Sequence, residues 1–226
     1  MTVYSLLQKI KNRLIYVFTL NYKIHLSKYL YYQFALYRDR KCGLDFYKSH
    51  TLAELGHPLD GELIHYGATR TYEIVKVLKA SKATPSDAIF DFGCGKGLGL
   101  VNFHRFGMKK VGGVELNSNL CEIARRNLST LKIEDVSILN KDATLIHDEL
   151  DGYNYFYFYN PFTGSVFQRV IDNIILSLKR KPRPITIIYN YPLEKDLILK
   201  SGYFDLIHSY TPFFFGGEFL IFKSRS

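Results

Sequence analysis

The sequence predicts an α/β protein whose mainly parallel sheet carries helices on both faces. Three observations lead there. After Pro85, apolar strand-like runs alternate with segments of helical period. The first such run, Ala88-Ile89-Phe90-Asp91-Phe92, opens directly into Gly93-Cys94-Gly95-Lys96-Gly97-Leu98-Gly99, with glycine at every second position. The next run, with Gly112 and Gly113 inside it, ends in the acidic Glu115. Glycines let backbone N–H groups approach a ligand that a Cβ would hold away. An acid at the end of the second strand can accept hydrogen bonds from both hydroxyls of a ribose. Together they describe a nucleoside-type crevice at the carboxyl ends of parallel strands.

Taken in order, the elements begin with a helical arm. Val3, Leu6, Leu7, Ile10, Leu14 and Phe18 recur at three- and four-residue steps. A second periodic segment, about 24–37, puts Leu26, Leu30, Phe34 and Tyr37 on one side. Residues 39–61 read as a loop-rich connection containing Gly43, Gly56, Pro58 and Gly61. A helix follows from about Thr69 to Lys82. The alternation then runs strand 88–92, helix 97–106, strand 110–115 and helix 117–130, with Asn117 or Ser118 as its cap. Strands 135–139 and 153–159 come next, then helix 164–179, strand 184–190, a short helix 192–200, and strands 203–211 and 217–223. Gly216-Gly217 suggests a hairpin turn between the last two. The chain thus divides into an arm with its connection, 1–61, and a catalytic-type domain, 62–226.

Composition narrows the class. At 226 residues, 47% hydrophobic and 23% charged, the chain suits one well-buried domain plus a modest extension and excludes a disordered one. Cys42, Cys94 and Cys121 have no metal-ligand spacing, and an odd number without a secretion signal points to a reducing cytoplasm. The longest nearly apolar run, 14–20, is too short to span a bilayer, and Asn21-Tyr22-Lys23 behind it supplies no cleavage site. The net charge of +9 is unevenly placed: residues 1–38 hold six basic and no acidic side chains, the remainder 24 and 21. Two readings of the arm stay open. It packs over the domain and covers the pocket, or it lies on an anionic surface, a membrane or a nucleic acid.

Spacing separates two ligand classes. A dinucleotide fingerprint, G-x-G-x-x-G, would place its third glycine at 98 or 100, which are Leu98 and Leu100. The run here is G-x-G-x-G-x-G, with Asp91 two residues ahead of it. That resembles motif I, D/E-x-G-x-G-x-G, of class I S-adenosylmethionine-dependent methyltransferases. The difference has a physical sense. A dinucleotide seats a pyrophosphate on a helix N-terminus, whereas S-adenosylmethionine carries an ammonium that an acid can bind. The resemblance spans about 62–223 and implies the Rossmann-like seven-stranded methyltransferase sheet, closed by a hairpin with one antiparallel strand.

The resemblance also implies site residues. Asp91 lies near the methionine amino group, and Gly93, Cys94, Gly95 and Gly97 form the cofactor loop. Glu115, with Leu116 after it, holds the ribose. Asp142 accepts from the adenine amine, with Ala143 offering its backbone N–H to the ring. Upstream, Tyr66 and Thr69 match a Y-x-x-[ST] element that folds over the methionine end; otherwise Thr69 is a helix cap. His65 is a general base or a structural residue.

The fourth strand runs into Asn160-Pro161-Phe162. This resembles motif IV, N-P-P-[YF], in which the Asn side chain and the next carbonyl accept from a target amine while the aromatic ring stacks on it. Only one proline is present, as in small bacterial methyltransferases of unassigned substrate, which leaves the target atom open among N, O and C. Tyr189-Asn190-Tyr191-Pro192 at the end of the fifth strand either faces substrate or forms a turn. Methyl transfer needs proximity and orientation, so the missing catalytic triad is no objection. Three functions follow: a methyltransferase acting on a small molecule, a glycan-linked group or a protein side chain, an RNA methyltransferase using the basic arm, and a non-catalytic S-adenosylmethionine-binding module. No RNA-binding module is recognisable, and the intact Asp91, glycines, Glu115 and Asp142 oppose decay of the site.

Overall fold

The computed structural model describes residues 25–51, 63–64, 71–212 and 217–225. His65, Tyr66, Thr69, Gly216 and the first arm segment, 3–18, lie outside them. The described chain starts helical over 25–42 (α1). Two short strands, His50–Thr51 (β1) and Leu63–Ile64 (β2), pair antiparallel. Then come Thr71–Ala80 (α2), Ala88–Phe92 (β3), Leu98–Phe106 (α3), Lys110–Glu115 (β4), Ser118–Thr130 (α4) and Val136–Asn140 (β5). Tyr155–Tyr159 (β6), Gly164–Arg180 (α5), Thr186–Asn190 (β7), Lys195–Lys200 (α6), Phe204–Tyr210 (β8) and Phe219–Ser224 (β9) complete it.

Seven strands form one sheet in the order β5-β4-β3-β6-β7-β9-β8. All pairings are parallel except those of β9, which runs antiparallel to β7 and β8. This is the expected α/β topology, a Rossmann-like sheet with a terminal hairpin.

The aromatic content builds the core. Along β6, successive side chains point to opposite faces. Phe156 and Phe158 join Phe92, Phe167, Ile171 and Tyr189 on one face, under α5. Tyr155 and Tyr157 join Ile74, Leu78, Leu100 and Phe103 on the other, under α2 and α3. Both faces of the central strands are covered, so β3 is buried at all five residues. Phe92 and Phe158 stack at 4.9 Å across the β3–β6 pair. Gly113 sits in β4 because its neighbour comes close: a Cβ there would lie 2.9 Å from Cys94 Cβ.

The arm differs from its periodicity in two ways. Helix α1 runs on to 42, and the stripe of Leu26, Leu30, Phe34 and Tyr37 is 42–64% exposed. The opposite face docks instead. Ala35 and Asp39 are buried, Tyr31 Oη meets Tyr47 Oη at 3.2 Å, and the Tyr32 hydroxyl donates to the Tyr47 carbonyl. Apolar period finds the amphipathic axis, but tyrosine hydroxyls and a buried aspartate with partners decide which face turns inward.

Nor is the segment after α1 a free loop. Asp39 Oδ2 accepts from the N–H groups of Phe46 and Tyr47, which folds the chain back. Phe46 then packs with Leu98, Val101, Leu128 and Ile133 of α3, α4 and the following turn. Among the described residues, no helix is long and apolar enough to cross a membrane.

Candidate functional site

The chain winds from β3 to β5 on one side, then returns to place β6 on the other side of β3. A crevice opens at such a switch point, outside the carboxyl ends of the strands. Two loops meet there. The glycine loop leaves β3, and Asn160-Pro161-Phe162 leaves β6. Gly93 has φ +76°, and a Cβ on it would lie 2.6 Å from Pro161 Cβ. Glycine is therefore required twice at this position, for backbone conformation and for close approach. At Gly95, φ is +52° and a Cβ would meet nothing within 4 Å, so the loop is open on that side. Gly97, at φ +85°, caps α3 and donates its N–H to the Cys94 carbonyl.

Two acids face this loop. Asp91 is buried, its Oδ2 set against Gly99 in the first turn of α3, where a Cβ would come within 2.5 Å. Burial first, and then the charge of Glu115, push its carboxyl up to about 8. Glu115 receives the Gly95 N–H on one oxygen and the Asn117 N–H on the other, both at 3.0 Å. Each of those oxygens keeps a further lone pair. Neither acid has an ion-pair partner among the described residues. Beside them Cys94 is buried, and burial above all raises its thiol well above the usual range. A thiol held protonated is no nucleophile. The N–H groups of Gly93 and Cys94 both donate to the Val114 carbonyl, which holds the loop on β4.

The edge of the crevice beyond β4 is also fixed. Asn140 Nδ2 donates to the carbonyls of Glu115 and Leu116, tying β5 to the end of β4. The Leu116 side chain is 71% exposed. Asp142 Oδ1 accepts both the N–H and the hydroxyl of Thr144 at 2.8 Å, which caps the turn Ala143–Leu145 and lowers the Asp142 pKa. Ala143 is buried beneath that cap.

On the β6–β7 side the backbone is strained. Among the described residues, four non-glycines have positive φ, and two of them, Asn160 at +41° and Tyr191 at +52°, follow neighbouring strands. Residues outside favoured backbone regions cost roughly 1–3 kcal/mol each and collect at functional sites. The rings of Tyr159 and Tyr191 stack there at 5.5 Å. Asn160 Oδ1 is buried with no hydrogen-bond partner. Phe162 packs beside Phe158 and Phe167 at the core edge.

Sequence reasoning passed over Lys96, Asn127 and Asn140. Lys96, inside the glycine run, is buried: its ammonium lies 2.8 Å from Asp45 Oδ1 and donates to the Lys48 carbonyl. Asn127 closes the network, accepting from the Asp45 N–H and donating to the carbonyls of Asp45 and Lys96. The glycine loop is thereby fastened to the segment after α1. The only local signal was a charged residue between turn glycines, where a solvent-facing lysine is the ordinary expectation.

The arrangement has a definite chemical bias. Two carboxyl groups that have no counter-ion among the described residues, beside an open glycine backbone, suit a nucleoside that carries positive charge. A pyrophosphate would meet like charge.

No protein-family model matches the sequence, and no curated protein matches it. Solved structures do resemble the fold. One is the ribosomal protein L11 methylase from Lactobacillus delbrueckii subsp. bulgaricus, with a TM-score of 0.54 and 14% identity over 71% of this chain and 81% of that one. Another is precorrin-6y C5,15-methyltransferase from Geobacter metallireducens GS-15, at 0.54 and 15% over 70% and 90%. A mutant of MtNAS in complex with S-adenosylmethionine gives 0.55 and 18% over 69% and 62%. At these identities the likeness is one of architecture: the chain has the seven-stranded Rossmann-like fold found in methyltransferases.

Proposed function

We propose that the protein is an S-adenosylmethionine-dependent methyltransferase. The observation that carries this reading is the acidic pair Asp91 and Glu115, without a counter-ion among the described residues, at the switch point of a methyltransferase-type sheet. Asp91 meets the ammonium of the methionine end. Glu115 accepts from the ribose hydroxyls, using lone pairs that the Gly95 and Asn117 N–H groups leave unused. Gly93, Cys94, Gly95 and Gly97 supply the close backbone, and exposed Leu116 covers one face of the adenine. Asp142, with Oδ1 committed to Thr144, offers Oδ2 to the adenine amine, and Ala143 supplies a backbone N–H. Tyr66 and Thr69, which lie outside the described residues, are candidates for the methionine end on the sequence resemblance alone.

S-adenosylmethionine supplies an electrophilic methyl group when bound. The chain's part is to hold an acceptor in line with it and to keep the acceptor's lone pair free of a proton. Asn160 is the residue best suited to that task. Its orphaned amide oxygen gains a partner if an N–H of the acceptor donates to it. Pro161 sets that loop against Gly93, and Phe162 with the Tyr159–Tyr191 pair makes an aromatic border. The acceptor class that fits is a nitrogen on a protein side chain or small molecule.

Calorimetry is the first test. S-adenosylmethionine and its demethylated product bind, and NAD does not. Binding of NAD without S-adenosylmethionine would overturn the assignment. A substrate screen follows, in which Asn160→Ala lowers turnover far more than cofactor affinity. Equal loss of both would make Asn160 part of the cofactor loop.

A further inference from the structure

We infer a second binding site, for chains of phosphate groups, at the opposite end of the sheet. A hollow of about 560 Å³ opens at the amino ends of β3, β4, β6 and β7, beside the carboxyl end of β9. Six cationic residues line it: Lys82, Lys109, Lys110, Lys181, Arg183 and Lys223. They arrive on four separate stretches of chain. Lys82 comes from the α2–β3 turn, Lys109 from the α3–β4 turn with Lys110 next to it at the start of β4, Lys181 and Arg183 from the α5–β7 turn, and Lys223 from β9.

The charge count marks this hollow out. Residues 39–226 carry 24 basic and 21 acidic side chains. The hollow takes six of the former and only Asp87 and Asp151 of the latter, which leaves 18 basic and 19 acidic everywhere else. All the positive excess of this part of the chain therefore gathers around one concavity.

The two acids are occupied. Asp151 is held by Arg180 and Ser177, and Asp87 accepts from Thr84 and Asn154. Arg183 is spent on structure, donating to the carbonyls of Leu150, Tyr153, Ser177 and Lys181. Lys110 lies over the Tyr153 ring at 4.1 Å. The ammonium groups of Lys82, Lys109, Lys181 and Lys223 remain as donors around the hollow, all on exposed residues.

Cations near helix C-termini complement the helix dipole, which accounts singly for Lys82, Lys109 and Lys181. It accounts neither for Lys110 and Lys223, which lie on strands, nor for the convergence. Like charges brought together from four segments repel unless a counter-ion joins them. Several point-charge donors around an open concavity match several phosphates better than one. Tyr153 and Tyr155, the two rings that line the hollow, are both buried, and the Tyr155 hydroxyl donates to the Ser81 carbonyl, so among the described residues no free ring face there offers a stacking platform for bases. The site reads phosphate alone.

The test uses the full chain, sodium tripolyphosphate and a single-stranded oligonucleotide, titrated between about 50 mM and about 200 mM salt. Wild-type protein binds tripolyphosphate, more weakly as salt rises. The variant Lys82→Gln/Lys109→Gln/Lys181→Gln/Lys223→Gln binds at least about tenfold more weakly and with a flatter salt dependence. Binding of the oligonucleotide that tripolyphosphate displaces identifies a nucleic-acid backbone as the source; binding of tripolyphosphate alone identifies a free oligophosphate. Replacing Lys9, Lys11, Arg13 and Lys23 of the arm by Gln leaves tripolyphosphate affinity unchanged. No binding by wild type at low salt, undiminished binding by the hollow variant, or loss confined to the arm variant would each overturn the inference.

Discussion

Ligand binding beside Asp91 should release a proton. In the free protein, burial and the Glu115 charge hold this carboxyl at about 8, so at pH 7 roughly nine molecules in ten carry the proton. A bound ammonium favours the ionised form and draws the pKa back below neutrality. Binding at pH 7 therefore expels about 0.9 proton per cofactor. Affinity follows the ionised fraction, which is about 9% at pH 7 and about 1% at pH 6. Over that interval the cofactor's own amino group, with a pKa near 8, stays charged. The dissociation constant should then rise about tenfold from pH 7 to pH 6, or about 1.4 kcal/mol.

Titration calorimetry in buffers of different ionisation enthalpy measures both quantities. Asp91→Asn removes the titrating group, so its proton release vanishes and its affinity is flat with pH. Linkage gives a second readout on the free protein. The folded pKa is raised above the unfolded value of 3.8, so the native state binds more protons between the two. The stability from this group is full below about 4 and is lost as pH rises through about 8, with a slope of at most about 1.4 kcal/mol per pH unit. Asp91→Asn should therefore gain stability over wild type as pH is raised. A wild-type affinity that is flat from pH 7 to pH 6, with no proton released, would refute the placement of the cofactor's charge at Asp91.

Glu115→Ala should weaken cofactor binding by about 1.5–3 kcal/mol by calorimetry, since it removes charge-assisted hydrogen bonds; unchanged affinity would mean that the ribose is held elsewhere. Lys96→Met removes the ammonium 2.8 Å from Asp45, leaving Arg126 at 3.9 Å beside that carboxylate, and should cost about 3–5 kcal/mol in urea unfolding, with part regained in Lys96→Met/Asp45→Leu. A single-variant loss below about 1 kcal/mol would show the pair to be solvent-screened. Asn160→Gly relieves a positive φ and deletes an unpaired buried acceptor, so it should raise stability by about 1 kcal/mol while abolishing methyl transfer; a destabilised variant would mean that the amide has a structural partner.

What was legible in the sequence was local. Strands β3 and β4 fall at their expected bounds because the chain itself punctuates them, with an apolar run, an acid and then glycines. Strand β6 reads as buried because Tyr155 to Tyr159 is aromatic at every position, and only a strand covered on both faces uses such a run. Asn117 caps α4 through Leu120, as its type and place foretold. What escaped depends on partners far along the chain. Lys96 and Asp45 are 51 residues apart, and neither has a local pattern that names the other. The docking face of α1 was set by Tyr47 and by the turn at Asp39, which apolar periodicity does not weigh. The lysine-lined hollow draws on three turns and on strands β4 and β9, and only the fold brings them to one place.

These long-range partners change how the arm relates to the site. A boundary between 61 and 62 follows composition, but Phe46 sits in a cluster with α3 and α4, and Asp45 neutralises the buried Lys96 of the glycine loop. A chain cut there would leave that lysine buried without its acid and Asn127 without two of its partners. The glycine loop is thus held from both sides. Pro161 of the loop after β6 packs against Gly93, and the segment after α1 holds Lys96 through Asp45. The strain at Asn160 and Tyr191 and the proton held on Asp91 are costs gathered at the carboxyl end of the central strands. The aromatic core and the Lys96 tether offset them, which is how a site poised for a charged ligand stays folded before that ligand arrives.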